Sequence, residues 1–302
     1  MPSLSEAYRA HPVHVQHKHP DLNSLQELPE SYTWTHHSHD DHTPAASNES
    51  VPVIDLNDPN ASKLIHHACI TWGAYQVVNH AIPMSLLQDI QWVGETLFSL
   101  PCHQKQKAAR SPDGADGYGL ARISSFFPKL MWSEGFTIVG SPLEHFRQLW
   151  PQDYHKYCDI VKRYDEAMKK LVGKLMWLML DSLGITKEDL KWAGSKGQFK
   201  KTCAALQLNS YPTCPDPDRA MGLAAHTDST LLTILYQNNI SGLQVHRKGG
   251  GRPPPHIVER VVPECAPPGL SEPDPAKAFS CVFMWAPSEC GDMSTCEASG
   301  PK

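Results

Sequence analysis

The chain of 302 residues is 40% hydrophobic and 20% charged, with a formal net charge of −5. That balance suits a soluble globular protein with ample core and gives no reason to expect nucleic acid or an anionic membrane surface as partner. No apolar run reaches the ~18 residues that a bilayer span needs. The start, Met1-Pro-Ser-Leu-Ser-Glu-Ala-Tyr8, lacks a basic-then-apolar signal, so the expected compartment is cytoplasmic and the nine cysteines are expected as free thiols.

Residues 1–50 read as a polar, poorly ordered extension. Eight of the 17 histidines lie there, at 11, 14, 17, 19, 36, 37, 39 and 42, and metal binding by that tract is the alternative. The folded part is expected to begin at the β-type run Val51-Pro-Val-Ile-Asp-Leu56. A helix follows over Lys63–Trp72, then a strand over Gly73–His80. Pro83 stands near the start of another helix that continues through Leu97-Phe98, as an early proline allows. Gly117-Tyr-Gly119 and Phe126-Phe-Pro128 read as loop. A long amphipathic helix is predicted over about Tyr157–Leu183, because Ile160, Tyr164, Met168, Leu171, Leu175 and Leu178 recur at three- and four-residue spacing. Gly184 is placed to end it.

From Cys203 the pattern changes to short strands: Ala204–Asn209, Thr230–Tyr236 and Gly242–His246, separated by Pro, Asp, Asn and Gly. Helices followed by consecutive strands predict an α+β chain with a β-sandwich or jelly-roll catalytic part. After Gly250 the composition shifts. Ten of the 26 prolines and four of the nine cysteines fall in the last 52 residues, and no useful periodicity is predicted there.

The most informative residues are His226-Thr-Asp228, just ahead of an alternating apolar run. In a strand-like segment, positions i and i+2 share a face, so an imidazole and a carboxylate converge as two ligands of a non-haem iron(II) site. In isolation such a pair is usually a surface turn; the surrounding residues shift the balance. Asn209-Ser-Tyr211-Pro offers an amide and a phenol, two donors for a carboxylate or keto oxygen, with strand-end capping as the alternative.

Asn-x-Tyr-Pro, a proline-rich link, Gly222-Leu-Ala-Ala-His-Thr-Asp-Ser-Thr-Leu-Leu-Thr-Ile-Leu-Tyr-Gln-Asn238 and Gly242-Leu-Gln-Val245 together resemble the plant 2-oxoglutarate/iron(II)-dependent dioxygenases. Within them the chain is most similar to the gibberellin 3-beta-hydroxylases (3-beta-dioxygenases). Leu25-Gln-Glu-Leu-Pro-Glu-Ser-Tyr-Thr-Trp34, Gly117-Tyr-Gly-Leu-Ala-Arg-Ile-Ser-Ser-Phe-Phe127 and Met131-Trp-Ser-Glu-Gly-Phe-Thr-Ile-Val-Gly-Ser-Pro142 carry that closer likeness, which spans roughly residues 1 to 250. The resemblance implies a helical N-terminal region, residues 51–200, and a double-stranded β-helix (jelly-roll) core whose first part is 201–250. It implies His226 and Asp228 as iron ligands, and Asn209 and Tyr211 as contacts to 2-oxoglutarate. Fe(II), 2-oxoglutarate, O2 and ascorbate are the implied cofactors and co-substrates, and a small-molecule gibberellin precursor the implied substrate. Another plant metabolite, or a non-catalytic binding role, are the alternatives.

The chain also departs from the family. A second ligand histidine and an Arg-x-Ser that clamps the distal carboxylate of 2-oxoglutarate should follow. Only His246 and His256 come after Asp228, neither in a suitable context, and no arginine follows Arg260. Synonymous codons for Gly251 onward, read one base later, can encode a peptide that resembles the family's missing C-terminal part without gaps. The ligand histidine then arises across the codons of Pro267 and Pro268, and the Arg-x-Ser between Lys277 and Ser280. A family strand expected after Gly250 has no counterpart in either frame. The expectation is therefore a frameshifted, disordered tail over 251–302, a jelly roll incomplete at its C-terminal end, and impaired catalysis.

Overall fold

The computed structural model describes residues 20–34, 50–111, 114, 116–120, 123–124, 127–190, 202–228, 230–238, 240, 242–243 and 245, together with the backbone of strands at 258–261 and 278–287. Among the described residues the longer helices are α1 (Ala61–Thr71), α2 (Met84–Phe98), α3 (Leu143–Leu149) and α4 (Tyr154–Ser182). The strands are β1 (Val53–Asp55), β2 (Ala74–Val78), β3 (Gly117–Gly119), β4 (Glu134–Val139), β5 (Thr202–Tyr211), β6 (Leu232–Gln237), β7 (Val258–Val261) and β8 (Ala278–Pro287).

The predicted long helix is α4, and its periodicity is used as expected. Tyr157, Ile160, Tyr164, Met168, Leu171, Leu175 and Leu180 are buried, forming the stripe against which α1, α2 and α3 pack. Burying a side chain of this size contributes about 1.5–3 kcal/mol, so the stripe outweighs the indifferent helix propensity of its tyrosines. Gly184 adopts φ +71°, and its amide donates to Asp181 O while Ile185 N donates to Leu180 O, both at 2.9 Å. Those are the two bonds of a Schellman cap, which needs a left-handed residue at that position.

The strands form one eight-stranded sheet in the order β1-β2-β7-β6-β8-β5-β4-β3. β1, β2, β7 and β6 run parallel to their neighbours, and β6, β8, β5, β4 and β3 pair antiparallel. Alternation along β5 divides two environments. Leu206 and Leu208 join the helical core, while Gln207, Asn209 and Tyr211 are half-buried on the opposite face. The α+β expectation holds.

Several expectations need correction. Gly117-Tyr-Gly119 is a strand, because it pairs with Gly135–Thr137; glycines hid its β character. β4 and α3 were not anticipated. Gly242, Leu243 and Val245 lie in no strand. Part of the N-terminal extension is packed: Leu22 and Tyr32 are 1% and 2% exposed and close a small apolar cluster with Trp132. The eight N-terminal histidines lie outside the described residues. Within the tail, where no strand was expected, the backbone forms β7 and β8. The rest of 251–302 lies outside the described residues, as do His246 and His256 as side chains.

Candidate active site at the end of β5

Strand β5 ends at Asn209-Ser-Tyr211, followed by Pro212. The loop beyond it is tied to the sheet by Trp132, whose indole Nε1 donates to Pro212 O at 3.0 Å and whose backbone N donates to Met221 O at 2.7 Å. Trp132 is buried edge-on against Tyr32, with ring centroids 5.4 Å apart. Next to it, Ala224 N donates to Met131 Sδ at 3.5 Å. The loop therefore returns over the strand end, and a Cβ on Gly222 would lie 3.1 Å from the Tyr211 ring.

His226 and Asp228 follow in that loop, ahead of β6 and outside any strand. The strand-like geometry is thus not what brings them together, yet His226 Nε2 lies 3.3 Å from Asp228 Oδ1. His226 Nδ1 is 2.9 Å from Ala224 O. A carbonyl only accepts, so Nδ1 donates to Ala224 O, and Nε2 is left as the ring nitrogen that faces Asp228, donating to the carboxylate when protonated and free to bind a metal when not. A backbone carbonyl on the far nitrogen is a common way to orient a metal-binding imidazole. Without a metal, the hydrogen bond to Asp228 and the Ala224 carbonyl raise the imidazole pKa, against the opposing effect of burial. The donor set fits two ligands of an iron(II) site. Among the described residues no group of three His, Cys, Asp or Glu side chains is arranged to hold a metal ion.

Asn209 and Tyr211 share the half-buried face of β5, as period-two alternation requires. Asn209 is opposite Gly135 on one side and Ser280 on the other, and Tyr211 is opposite Ala278. A buried ion pair on the reverse face escaped the sequence reading. Lys105 Nζ lies 2.6 Å from Glu134 Oε1 and donates also to Phe98 O at 3.2 Å, while Tyr118 Oη donates to the same Glu134 oxygen at 2.6 Å. Burial, and then the adjacent Glu134 carboxylate, push the Tyr118 phenol far above its usual range. The only sequence signal was a glutamate in an otherwise apolar run.

Two family models match the chain: the N-terminal part of non-haem dioxygenases in morphine synthesis over residues 51–153, and the 2OG-Fe(II) oxygenase superfamily over 202–268. The chain is 77% identical over 258 residues to gibberellin 3-beta-dioxygenase 1 of Pisum sativum, covering 83% of this chain and 68% of that protein. It is 58% identical over 251 residues to gibberellin 3-beta-dioxygenase 1 of Arabidopsis thaliana, covering 81% and 70%. The fold is similar to a crystal structure of JOX2 in complex with 2OG, Fe and JA, with TM-score 0.62 and 25% identity over 88% of this chain and 81% of that one. No helix among the described residues is long and apolar enough to cross a membrane. The chain therefore belongs to the 2-oxoglutarate- and iron(II)-dependent dioxygenases, in the gibberellin 3-beta-dioxygenase family.

Proposed function

We propose that the chain derives from an enzyme of the cytoplasm that hydroxylates a gibberellin precursor at the 3-beta position, and that catalysis is impaired in the chain as it stands. The observation that carries the site is the convergence of His226 Nε2 and Asp228 Oδ1 at 3.3 Å. In this reading His226 and Asp228 hold iron(II), and Asn209 and Tyr211 donate hydrogen bonds to 2-oxoglutarate. When bound, the iron supplies the oxidising chemistry that couples decarboxylation of 2-oxoglutarate to hydroxylation of an unactivated carbon. The protein's own part is to orient: Ala224 O fixes the imidazole tautomer, and Trp132 holds the loop over the strand end.

The impairment reading rests on what is missing. Only His246 and His256 follow Asp228 in the sequence, neither in the family's ligand context, and two-ligand retention of iron should be weak. The register of β8 sets Ala278 beside Tyr211 and Ser280 beside Asn209, the place where the shifted frame would put Arg-x-Ser. An alanine there offers no charge to clamp a carboxylate. We read residues 51–200 as the mainly helical region, 201–250 as the first part of the jelly roll, and 251–302 as a frameshifted tail that leaves the core incomplete.

The test compares product formation by this chain and by a repaired chain, with the frame and the strand after Gly250 restored. The substrate is a 3-deoxy gibberellin, supplied with 2-oxoglutarate, iron(II) and ascorbate. The repaired chain should give the 3-beta-hydroxylated product, and the original none. In the repaired chain His226→Ala or Asp228→Ala should abolish turnover, and Tyr211→Phe should chiefly weaken 2-oxoglutarate use. Turnover by the original chain would refute impairment, and a repaired chain active only on another substrate would refute the gibberellin assignment.

A further inference from the structure

On the site face of the sheet a continuous chain of hydrogen bonds runs across three segments to Asn209. Arg110 Nη2 donates to Thr137 Oγ1 at 2.6 Å, and its Nη1 donates to Leu120 O at 3.1 Å. Thr137 Oγ1 donates to Gln207 Oε1. Gln207 Nε2 donates to Asn209 Oδ1 at 3.0 Å and to Leu208 O at 3.2 Å. The strand register supports the same alignment, since Thr137 is opposite Gln207 and Gly135 opposite Asn209. Gly135 is what admits the Gln207 amide: a Cβ there would sit 2.7 Å from Gln207 Nε2 and 3.2 Å from Gly119 O.

The direction of this chain is fixed by one chemical fact. A guanidinium has donors only. Thr137 Oγ1 must therefore accept from Arg110, which leaves its single proton for Gln207. Gln207 must present its carbonyl to that proton, so its NH2 faces Asn209. Asn209 must answer with its oxygen, which turns its own NH2 to the opposite side of the amide. Each amide could otherwise flip at little cost, because O and N are nearly the same size.

We propose that Gln207, polarised through Thr137 by Arg110, is a positioning residue that holds the Asn209 amide with its NH2 presented to the co-substrate. The co-substrate part rests on the proposed contact between Asn209 and 2-oxoglutarate. The relay delivers a donor, the polarity needed to meet a keto or carboxylate oxygen. The reversed amide would present an acceptor and repel it.

The relay is tested by NMR of the side-chain amides in the full chain without added ligand. Gln207→Glu replaces the donor facing Asn209 with a second acceptor. The Asn209 amide should flip, and its NH2 resonances should shift and exchange more slowly as they donate to the new carboxylate. Thr137→Val, which removes the hydroxyl proton, should shift the Gln207 and Asn209 amide resonances together, and Thr137→Ser should restore the parent pattern. Asn209 resonances that ignore Gln207→Glu and Thr137→Val would overturn the inference. A second arm titrates 2-oxoglutarate to millimolar concentration with iron(II) under anaerobic conditions. Loss of a charge-assisted hydrogen bond should weaken binding by about tenfold or more in both Asn209→Ala and Gln207→Glu. Weakening by Asn209→Ala alone would overturn the positioning role and leave the co-substrate reading standing. A flipped amide with co-substrate binding indifferent to both variants would uphold the relay and overturn the reading of Asn209.

Discussion

Substituting Lys105 by methionine separates a buried charge from its partner and should be among the most damaging single changes in this chain. Lys105 and Glu134 side chains are each 1% exposed and 2.6 Å apart. Removing the ammonium leaves the Glu134 carboxylate with only the Tyr118 hydroxyl at Oε1, and Oε2 has no hydrogen-bond partner. Breaking a buried pair from one side costs about 3–5 kcal/mol, because the remaining charge cannot regain water. Unfolding entropy of about 2.1 cal/mol/K per residue, applied to 302 residues, converts about 4 kcal/mol into a fall in Tm of roughly 6 °C. Glu134 is opposite Ser210 on β5, between Asn209 and Tyr211, so the strand carrying the site should loosen with it. The assay is calorimetric or circular-dichroism melting of the parent, Lys105→Met and Lys105→Met/Glu134→Leu. The double variant should recover much of the loss, since an apolar pair removes the stranded charge. A single variant within about 1 kcal/mol of the parent, or a double variant no better than the single, would refute the reasoning.

Gly135→Ala should lower stability by about 1–3 kcal/mol, the usual cost of overpacking, because the new methyl meets both an amide and the Gly119 carbonyl; melting curves check this, and an unchanged Tm would contradict it. The alkaline limb of the stability profile should follow the buried tyrosines. Burial first, and Glu134 second, push the Tyr32 phenol up to about 12, whereas an unfolded tyrosine ionises near pH ~10. The native state then holds a proton that the unfolded state has lost, so stability should be level up to about pH 10 and fall from there toward about pH 12. Urea midpoints taken across that window measure it. Tyr32→Phe should flatten part of the fall and, since the Tyr32 hydroxyl is buried without a partner, cost nothing at neutral pH.

Features written in local spacing were legible in the sequence. The stripe of α4 and its glycine stop, the strands β1, β2, β5 and β6, and the i, i+2 pairing of Asn209 with Tyr211 all follow from periodicity, which the backbone imposes on any chain. The proximity of His226 and Asp228 was also foreseen, although a loop held by Trp132 and Met131 achieves it rather than a strand. Strand β8 was missed for a different reason. Composition over the last 52 residues is dominated by proline and cysteine, and averaging over that span hid the β-suited run Phe279-Ser-Cys-Val-Phe-Met-Trp285. Leu22 and Tyr32 were lost in the same way, as two apolar residues inside a polar extension.

What only the tertiary structure decided depends on partners far apart in the chain. Arg110, Thr137 and Gln207 have no common motif, and they meet because β4 pairs with β5 across 70 residues between Thr137 and Gln207. Lys105 and Glu134 are 29 residues apart and become neighbours only in the fold, where the Lys105 ammonium also donates to Phe98 O at the end of α2. A charged residue can be read from sequence, but whether its partner is water or another buried charge is fixed by strand register. The sequence by itself determined the family and pointed to His226 and Asp228, the two donors to which the proposed function assigns its chemistry. The fold decided which way an amide faces and which charge is left in the dark, because those are properties of pairs that local spacing does not encode.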